Sequence, residues 1–207
     1  MKSCLVSIGI LAWTLSAPPL AFGQETSFVA GPLWQVNDNG AWSWFMDERA
    51  IVADGKLIVG SVRSRGDFQA TQNDPNWGNV EIAVCDLTSG LSKTTILHKH
   101  FEQDDHNGPA LLALPDRRIL ALYTKHGQER KIYMRTSEPG NPLAWGPVSE
   151  FVTPGREGAP FKTDNVTYDN LFLMPSGRIY NFFRGPHLDP NYMVSDDNAK
   201  TWTYGGH

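Results

Sequence analysis

The sequence predicts an all-β fold, a propeller of four-stranded antiparallel blades, and three observations carry that expectation. Apolar residues alternate with the period of strands, and no long segment spaces them as a helix would. Seven Trp, six Tyr and ten Phe accompany 19 Gly and 14 Pro, the composition of short strands joined by tight turns. One hairpin pattern occurs three times along the chain.

The first 23 residues stand outside that pattern and read as a secretory signal. Lys2 gives a positive start, Cys4 to Leu15 is an apolar run, and Ala21-Phe22-Gly23 supplies small residues for cleavage. The run is shorter than the roughly 20 residues that span a bilayer. Residues 24–207 are therefore expected as the mature chain, one partial propeller domain, secreted or periplasmic and without membrane contact after cleavage. Loss of Cys4 with the signal leaves Cys85 without an internal disulfide partner. Cys85 lies in the alternating stretch Val80 to Leu87 and is expected as a small buried hydrophobe. The formal charge of −4 argues against nucleic acid as a partner. It leaves room for an acidic sugar polymer held by a local cluster of arginines.

The three repeats begin with Arg49 to Val62, which reads as strand, two-residue turn, strand. Ala110 to Tyr123 and Asn170 to Phe183 read the same way. Lys56, Arg118 and Arg178 each follow the turn, so the period is about 60 residues. Asp54-Gly55 and Ser176-Gly177 have the chemistry of tight hairpin turns. A third strand is expected at Val80 to Leu87, Lys131 to Thr136 and Asn191 to Val194, and aromatic-anchored fourth strands at Trp145 and Trp202. The blades are placed at approximately 40–97, 104–152 and 164–207. A flat meander of so many strands would leave long edges and curl or split, whereas radial blades avoid this. Known rings use four to eight blades, so three form an incomplete ring whose uncovered apolar flank favours self-association.

Topology then fixes which residues share a face. In each hairpin the second strand ends where the first began. With the turns at Asp54, Asp116 and Ser176 on the far face, residues before a first strand and after a second strand meet on the near face. These are His106 and His126 in the second repeat, Tyr168 and Arg184 in the third, and Asp47, Arg49, Arg63 and Arg65 in the first. Two imidazoles, a phenol and guanidiniums suit acid/base chemistry beside an anion. Structural ion pairs compete with this reading: Arg184 with Asp169 or Asp189, and Arg49 with Asp47 or Glu48. Asp104-Asp105 offers carboxylates for a structural calcium ion, although no metal or other cofactor is expected to be required for the chemistry. His98 and His100 are expected to face solvent, and His187 and His207 have no informative context. No Cys/His zinc spacing, glycine-rich phosphate loop or nucleophile elbow is present.

Two resemblances sharpen the expectation. Ser195 to Trp202 resembles the Asp-box of sialidase-type propellers, with Ala199 where that motif has Gly, and Ser137 to Trp145 resembles a degenerate copy. Its acidic side chain would accept turn amides while Trp202 packs between blades. The stretches at 42–49, 103–107, 123–127 and 178–185 make the chain similar to the BNR-repeat propellers of polysaccharide-degrading bacteria, and among them the propeller-type ulvan lyases. That resemblance implies a seven-bladed parent and an acidic polysaccharide substrate, sulfated and rich in uronate, cleaved by β-elimination. It implies a catalytic set of His106, His126, Tyr168 and Arg184, with Arg49, Arg63, Arg65 and Asn107 toward substrate. Arg184 would neutralise the uronate carboxylate, His106 and Tyr168 would serve as base and acid in either order, and His126 would orient a partner or help bind. A sialidase-type glycoside hydrolase and a non-catalytic carbohydrate-binding propeller are the alternatives, and oligomeric state is left open.

Overall fold

Alternating apolar patterns become thirteen strands in the computed structural model, which describes residues 33–43, 46, 49–66, 74–155 and 164–206. The expected signal segment, Asp47, Glu48 and His207 lie outside the described residues. The first sheet is β1 (Ala50–Ala53), β2 (Lys56–Val62), β3 (Val80–Asp86) and β4 (Ser92–His98), paired in chain order. The second is β5 (Ala110–Ala113), β6 (Ile119–Tyr123), β7 (Lys131–Glu138) and β8 (Asn141–Trp145), with β9 (Ser149–Val152) also on β7. The third is β10 (Thr167–Leu173), β11 (Ile179–Arg184), β12 (Pro190–Ser195) and β13 (Thr203–Gly206). Each is an antiparallel meander, so the chain forms three blades of a β-propeller. No helix among the described residues is long and apolar enough to cross a membrane.

Turn chemistry explains the inner hairpins, with one correction to the sequence reading. Asp54 and Gly55 both take positive φ between the paired Ala53 and Lys56, a two-residue turn. The second and third hairpins turn through three residues instead. Leu114 and Met174 donate their amides to the carbonyls of Arg118 and Arg178, and the left-handed position falls on Arg117 and Gly177. That extra residue matches a type I turn ending in a left-handed residue. The tips share a face: Arg117 pairs with Asp54 at 3.1 Å, and Asn198 donates to Asp116 at 2.7 Å.

Strand alternation gives every blade two apolar faces, and neighbouring blades bury them against each other. Ile58, Val80, Ile82 and Val84 of the first blade pack on Leu111, Ile119, Ala121, Tyr123 and Tyr133 of the second. The opposite face of the second blade, Leu120, Leu122, Ile132 and Met134, packs on Ile179, Phe183 and Met193 of the third. Complete burial of each such Leu or Ile contributes about 1.5–3 kcal/mol. Trp145 edges the first of these cores and Trp202 the second. Asp197 closes the turn before Trp202 by accepting from the Lys200 and Thr201 amides at 3.0 and 2.9 Å, and Ala199 holds a φ of +66° there. Cys85 is buried.

His98 corrects another expectation, because it is half-buried at the end of β4 and does not simply face solvent. Its ring lies 4.7 Å from Phe101 and edge-on to Tyr123 and Tyr133. Burial, aided by Lys125 and Arg135, pushes its pKa down.

The outer face of the third blade has the same alternation but no described partner. Phe172 opposes Tyr180, and Phe182 opposes Tyr192, with ring centroids about 6 Å apart across the four. Phe172 and Phe182 remain 46% and 42% exposed. Association of the 207-residue chain through this face is expected, and Phe182→Lys should reduce it with little change in Tm. Sedimentation of both proteins checks this, and a monodisperse monomeric wild type would contradict it.

Candidate functional site

The near face is built from the ends of the inner hairpins. His106 lies in a 3-10 turn, Asp105–Asn107, just before β5, and His126 follows β6. Asp104 caps the turn by accepting the His106 amide at 2.9 Å. The same carboxylate holds both imidazoles: one oxygen lies 2.5 Å from His106 Nδ1 and the other 2.9 Å from His126 Nδ1. Asp105 adds an oxygen 2.8 Å from His106 Nδ1. The two rings stack 4.0 Å apart at 20°. Glu102 braces the pair from behind, accepting the His126 amide at 2.8 Å and the Asn107 side-chain amide at 2.9 Å.

Blade three brings the phenol and guanidinium to the same place. Thr167 pairs with Arg184 and Asn170 with Phe182, so Tyr168 and Asp169 form a bulge at the start of β10. Tyr168 takes a φ of +63°, a conformation costing an ordinary side chain roughly 1–2 kcal/mol. Its ring comes 5.4 Å from His106 and 5.9 Å from His126, with Arg184 Cζ 5.0 Å from the ring centre. Arg184 makes no ion pair with Asp169 or Asp189 among the described residues.

Two protonation states follow from these surroundings. Burial opposes ionisation of Asp104, but the His106 amide and the two imidazoles outweigh it and hold the carboxyl below its ordinary value. An ionised carboxylate only accepts, so each Nδ1 carries a proton toward it. Burial raises the Tyr168 phenol; Arg184 opposes this, while Asp104 and Asp105 add to it. The phenol therefore keeps its proton at neutral pH.

Not every sequence-predicted residue joins this group. Arg49 is 4% exposed, and its guanidinium donates to the Asp169 carbonyl at 2.7 Å across the blades. Arg63 is enclosed by Asp38, Asp74 and Glu81 at 2.9, 2.8 and 3.4 Å. Asn107 is fully buried with its amide on Glu102. Arg49 and Asn107 are thus buried away from a substrate-facing position, correcting that expectation for both, whereas Arg63 lines the same groove as Arg65 while engaged by its three carboxylates. Arg65 alone of that set is exposed, 5.7 Å over the Trp77 ring. It shares a groove with Arg63, Ser64, Gln103, Asp104 and Asp105, the last two of which contact His106. Asp104, His106 and His126 offer three ligand atoms within 4.8 Å of one another. Two imidazole nitrogens and one carboxylate suit a zinc-like ion better than the calcium considered for Asp104-Asp105. Sequence reasoning missed Asp104 as a clamp and Glu102 as a brace. The available signal was an Asp two residues before a His at a turn start.

Residues 69–207 match a profile described as a BNR repeat-containing family member. No curated protein matches the chain in sequence. Among solved structures, the chain is similar to an ulvan lyase of a polysaccharide lyase family bound to -[GlcA(1-4)Rha3S]-, at 18% identity and a TM-score of 0.59. That alignment covers 84% of this chain and 41% of the lyase, so the chain spans about two-fifths of the lyase's length. A second ulvan lyase structure of that family gives 18% identity, a TM-score of 0.57 and the same coverage. A Trypanosoma rangeli sialidase in complex with sialic acid gives 10% identity and a TM-score of 0.50 over 83% of this chain and 34% of the sialidase. At these identities the likeness is one of fold.

Behind Tyr168, Asp169 is fully buried, and burial raises its pKa to about 6 against the pull of Asn181 and Arg49. The folded state then binds this proton more tightly than the unfolded chain, so stability contributed here falls as pH rises from about 4 through 6. Asp169→Asn removes that dependence. The variant should gain up to about 3 kcal/mol relative to wild type between pH 4 and pH 7. Urea unfolding of both proteins at the two pH values measures it, and parallel stability profiles would contradict it.

Proposed function

This chain belongs to the BNR repeat-containing family, and from that premise we propose that it carries the catalytic mouth of an exported polysaccharide lyase. The substrate class is a uronate-containing, sulfated polymer of the ulvan type, cleaved by β-elimination. The observation that carries the reading is the clamp: one ionised carboxylate orders two stacked imidazoles beside a protonated phenol and a guanidinium.

Elimination needs three separate services. The C5 proton of a uronate is too weakly acidic until its carboxylate is neutralised, and Arg184 supplies a fixed positive charge with two parallel donors. A base must then accept the C5 proton. With Nδ1 of His106 donating to Asp104, the lone pair of the neutral ring lies on Nε2, which takes that role. The C5–H electron pair becomes the C4–C5 double bond, the C4–O4 bond breaks, and the departing oxygen needs a proton. Tyr168, whose phenol holds its proton, is the acid. The proton left on His106 returns to solvent, and a solvent proton restores the phenol. His126 stacks on His106 and keeps its ring plane fixed, while Arg65 in the adjoining groove meets a sulfate.

A hydrolase of the sialidase type would pair Tyr168 with a glutamate. Glu102 instead holds His126 and Asn107, and Glu129 holds Tyr133 and Lys125. These attachments favour the lyase.

Turnover is read as ultraviolet absorbance from the unsaturated uronate, alongside binding of ulvan fragments to the chain. Tyr168→Phe and His106→Gln should each lower kcat by about 10²–10⁴-fold with binding retained. Reducing ends without absorbance would replace the lyase by a hydrolase, and binding without turnover in any form would leave a lectin. Micromolar Zn²⁺ should inhibit and a chelator restore activity, since a metal on Nδ1 moves the ring proton to Nε2 and removes the base. Loss of activity on chelation alone would contradict this and make the metal a participant.

A further inference from the structure

Arg49 was expected at the mouth and is found behind it, where three blades meet. It immediately precedes β1, and the first strands β1, β5 and β10 line the adjoining central cavity. Its guanidinium reaches blade three, donating from Nη2 to the Asp169 carbonyl at 2.7 Å and from Nη1 to Asn170 Oδ1 at 3.5 Å. Its aliphatic stem runs beside Gly108, two residues past His106, where a Cβ would stand 3.9 Å from Arg49 Cγ.

The bulge at Tyr168 and Asp169 explains why such a reach is needed. A bulge withdraws backbone groups from the strand ladder, and buried ones must find other partners. Asn181 serves part of the bulge: its Oδ1 accepts the Asn170 amide at 3.0 Å and its Nδ2 donates to Asp169 Oδ1 at 2.7 Å. Asn170 Nδ2 donates to the Tyr168 carbonyl at 2.9 Å. The Asp169 carbonyl takes its donor from blade one. The left-handed backbone that turns the phenol toward the imidazoles is thereby held from outside its own sheet.

We propose that Arg49 is a positioning residue, which sets the Tyr168 phenol against His106 by holding the Asp169 carbonyl across the propeller axis. The role rests on the lyase reading for its effect on turnover, but not for its effect on geometry. It separates two chemistries that sequence cannot distinguish: an arginine that grips the substrate's anion changes KM, whereas one that sets the acid changes kcat. Arginine suits the task because its fork donates to two acceptors at once.

The test uses the 207-residue chain with Arg49→Met, Arg49→Lys and Asp169→Asn. Nuclear Overhauser contacts between the Tyr168 ring and the His106 and His126 rings report the phenol's place. Contacts between Tyr180 and Phe182 report the blade itself. Arg49→Met should lose the Tyr168–histidine contacts, keep the Tyr180–Phe182 contact, and lower kcat by about 10–100-fold with KM within about twofold. Arg49→Lys keeps one donor for the carbonyl and should fall between; should Arg49→Met fail to fold, Arg49→Lys alone decides. Asp169→Asn retains the carbonyl and should keep the contacts. Unchanged contacts and kcat in the arginine variants, even with a lowered Tm, overturn the proposal, as does a rise confined to KM. Loss of the contacts in Asp169→Asn also overturns it, by assigning the control to the carboxyl. Absence of turnover in wild type with the contact pattern as expected would sink the lyase reading and leave the positioning role standing.

Discussion

A strand hairpin that leaves one face of a blade must return to it, and this constraint places every group discussed above. His106 precedes β5 and His126 follows β6, while Tyr168 opens β10 and Arg184 closes β11. Their meeting is therefore a property of the meander and its repeat, and no long loop has to search for it. The opposite tips show the same rule, since Asp54 meets Arg117 and Asp116 meets Asn198 on the far face. Interblade packing makes the arrangement rigid: the two cores fix the spacing between hairpins, so the mouth inherits the precision of buried side chains.

Within that frame a few polar contacts decide the chemistry. Asp104 holds both imidazoles by the same nitrogen, so both rings carry the same tautomer, and the partly buried position of the carboxylate keeps it from being screened away. Glu102 and Asn107 form the layer beneath. On the other side, the bulge at Tyr168 trades strand pairing for direction, and the cost of its left-handed backbone is offset by Asn170, Asn181 and Arg49. Backbone strain and side-chain order thus sit on opposite walls of one opening.

The repeat made much of this legible from sequence. Lys56, Arg118 and Arg178 set the period, the period set the hairpins, and the hairpins brought His106, His126, Tyr168 and Arg184 to one face. What stayed hidden depends on side-chain direction at single residues. Arg63 and Arg65 lie two positions apart, yet one is enclosed by three carboxylates and the other lies open over Trp77. Asp38, Asp74 and Glu81, which enclose Arg63, are scattered along the chain, and no local pattern announces their convergence. Arg49 needed knowledge of the bulge in β10, which an alternating pattern does not reveal. Asp104 read as an oxygen ligand because its caps and its imidazoles become visible only once the 3-10 turn is formed. His98 shares its spacing with His100, but one ends a strand inside an aromatic cluster and the other turns out through a left-handed residue.

The chemistry at the mouth stands on the two imidazoles being ordered through their δ nitrogens by the ionised Asp104 carboxylate they share, with Asp105 also on His106. Nitrogen-15 chemical shifts and long-range couplings of the histidine rings at neutral pH read this directly. His106 and His126 should both show a protonated Nδ1 and a bare, pyridine-like Nε2, with the signature of His126, whose Nδ1 meets Asp104 alone, lost in Asp104→Ala. A proton resident on Nε2 of His106 in the wild-type chain would contradict it, since no lone pair would then face the opening.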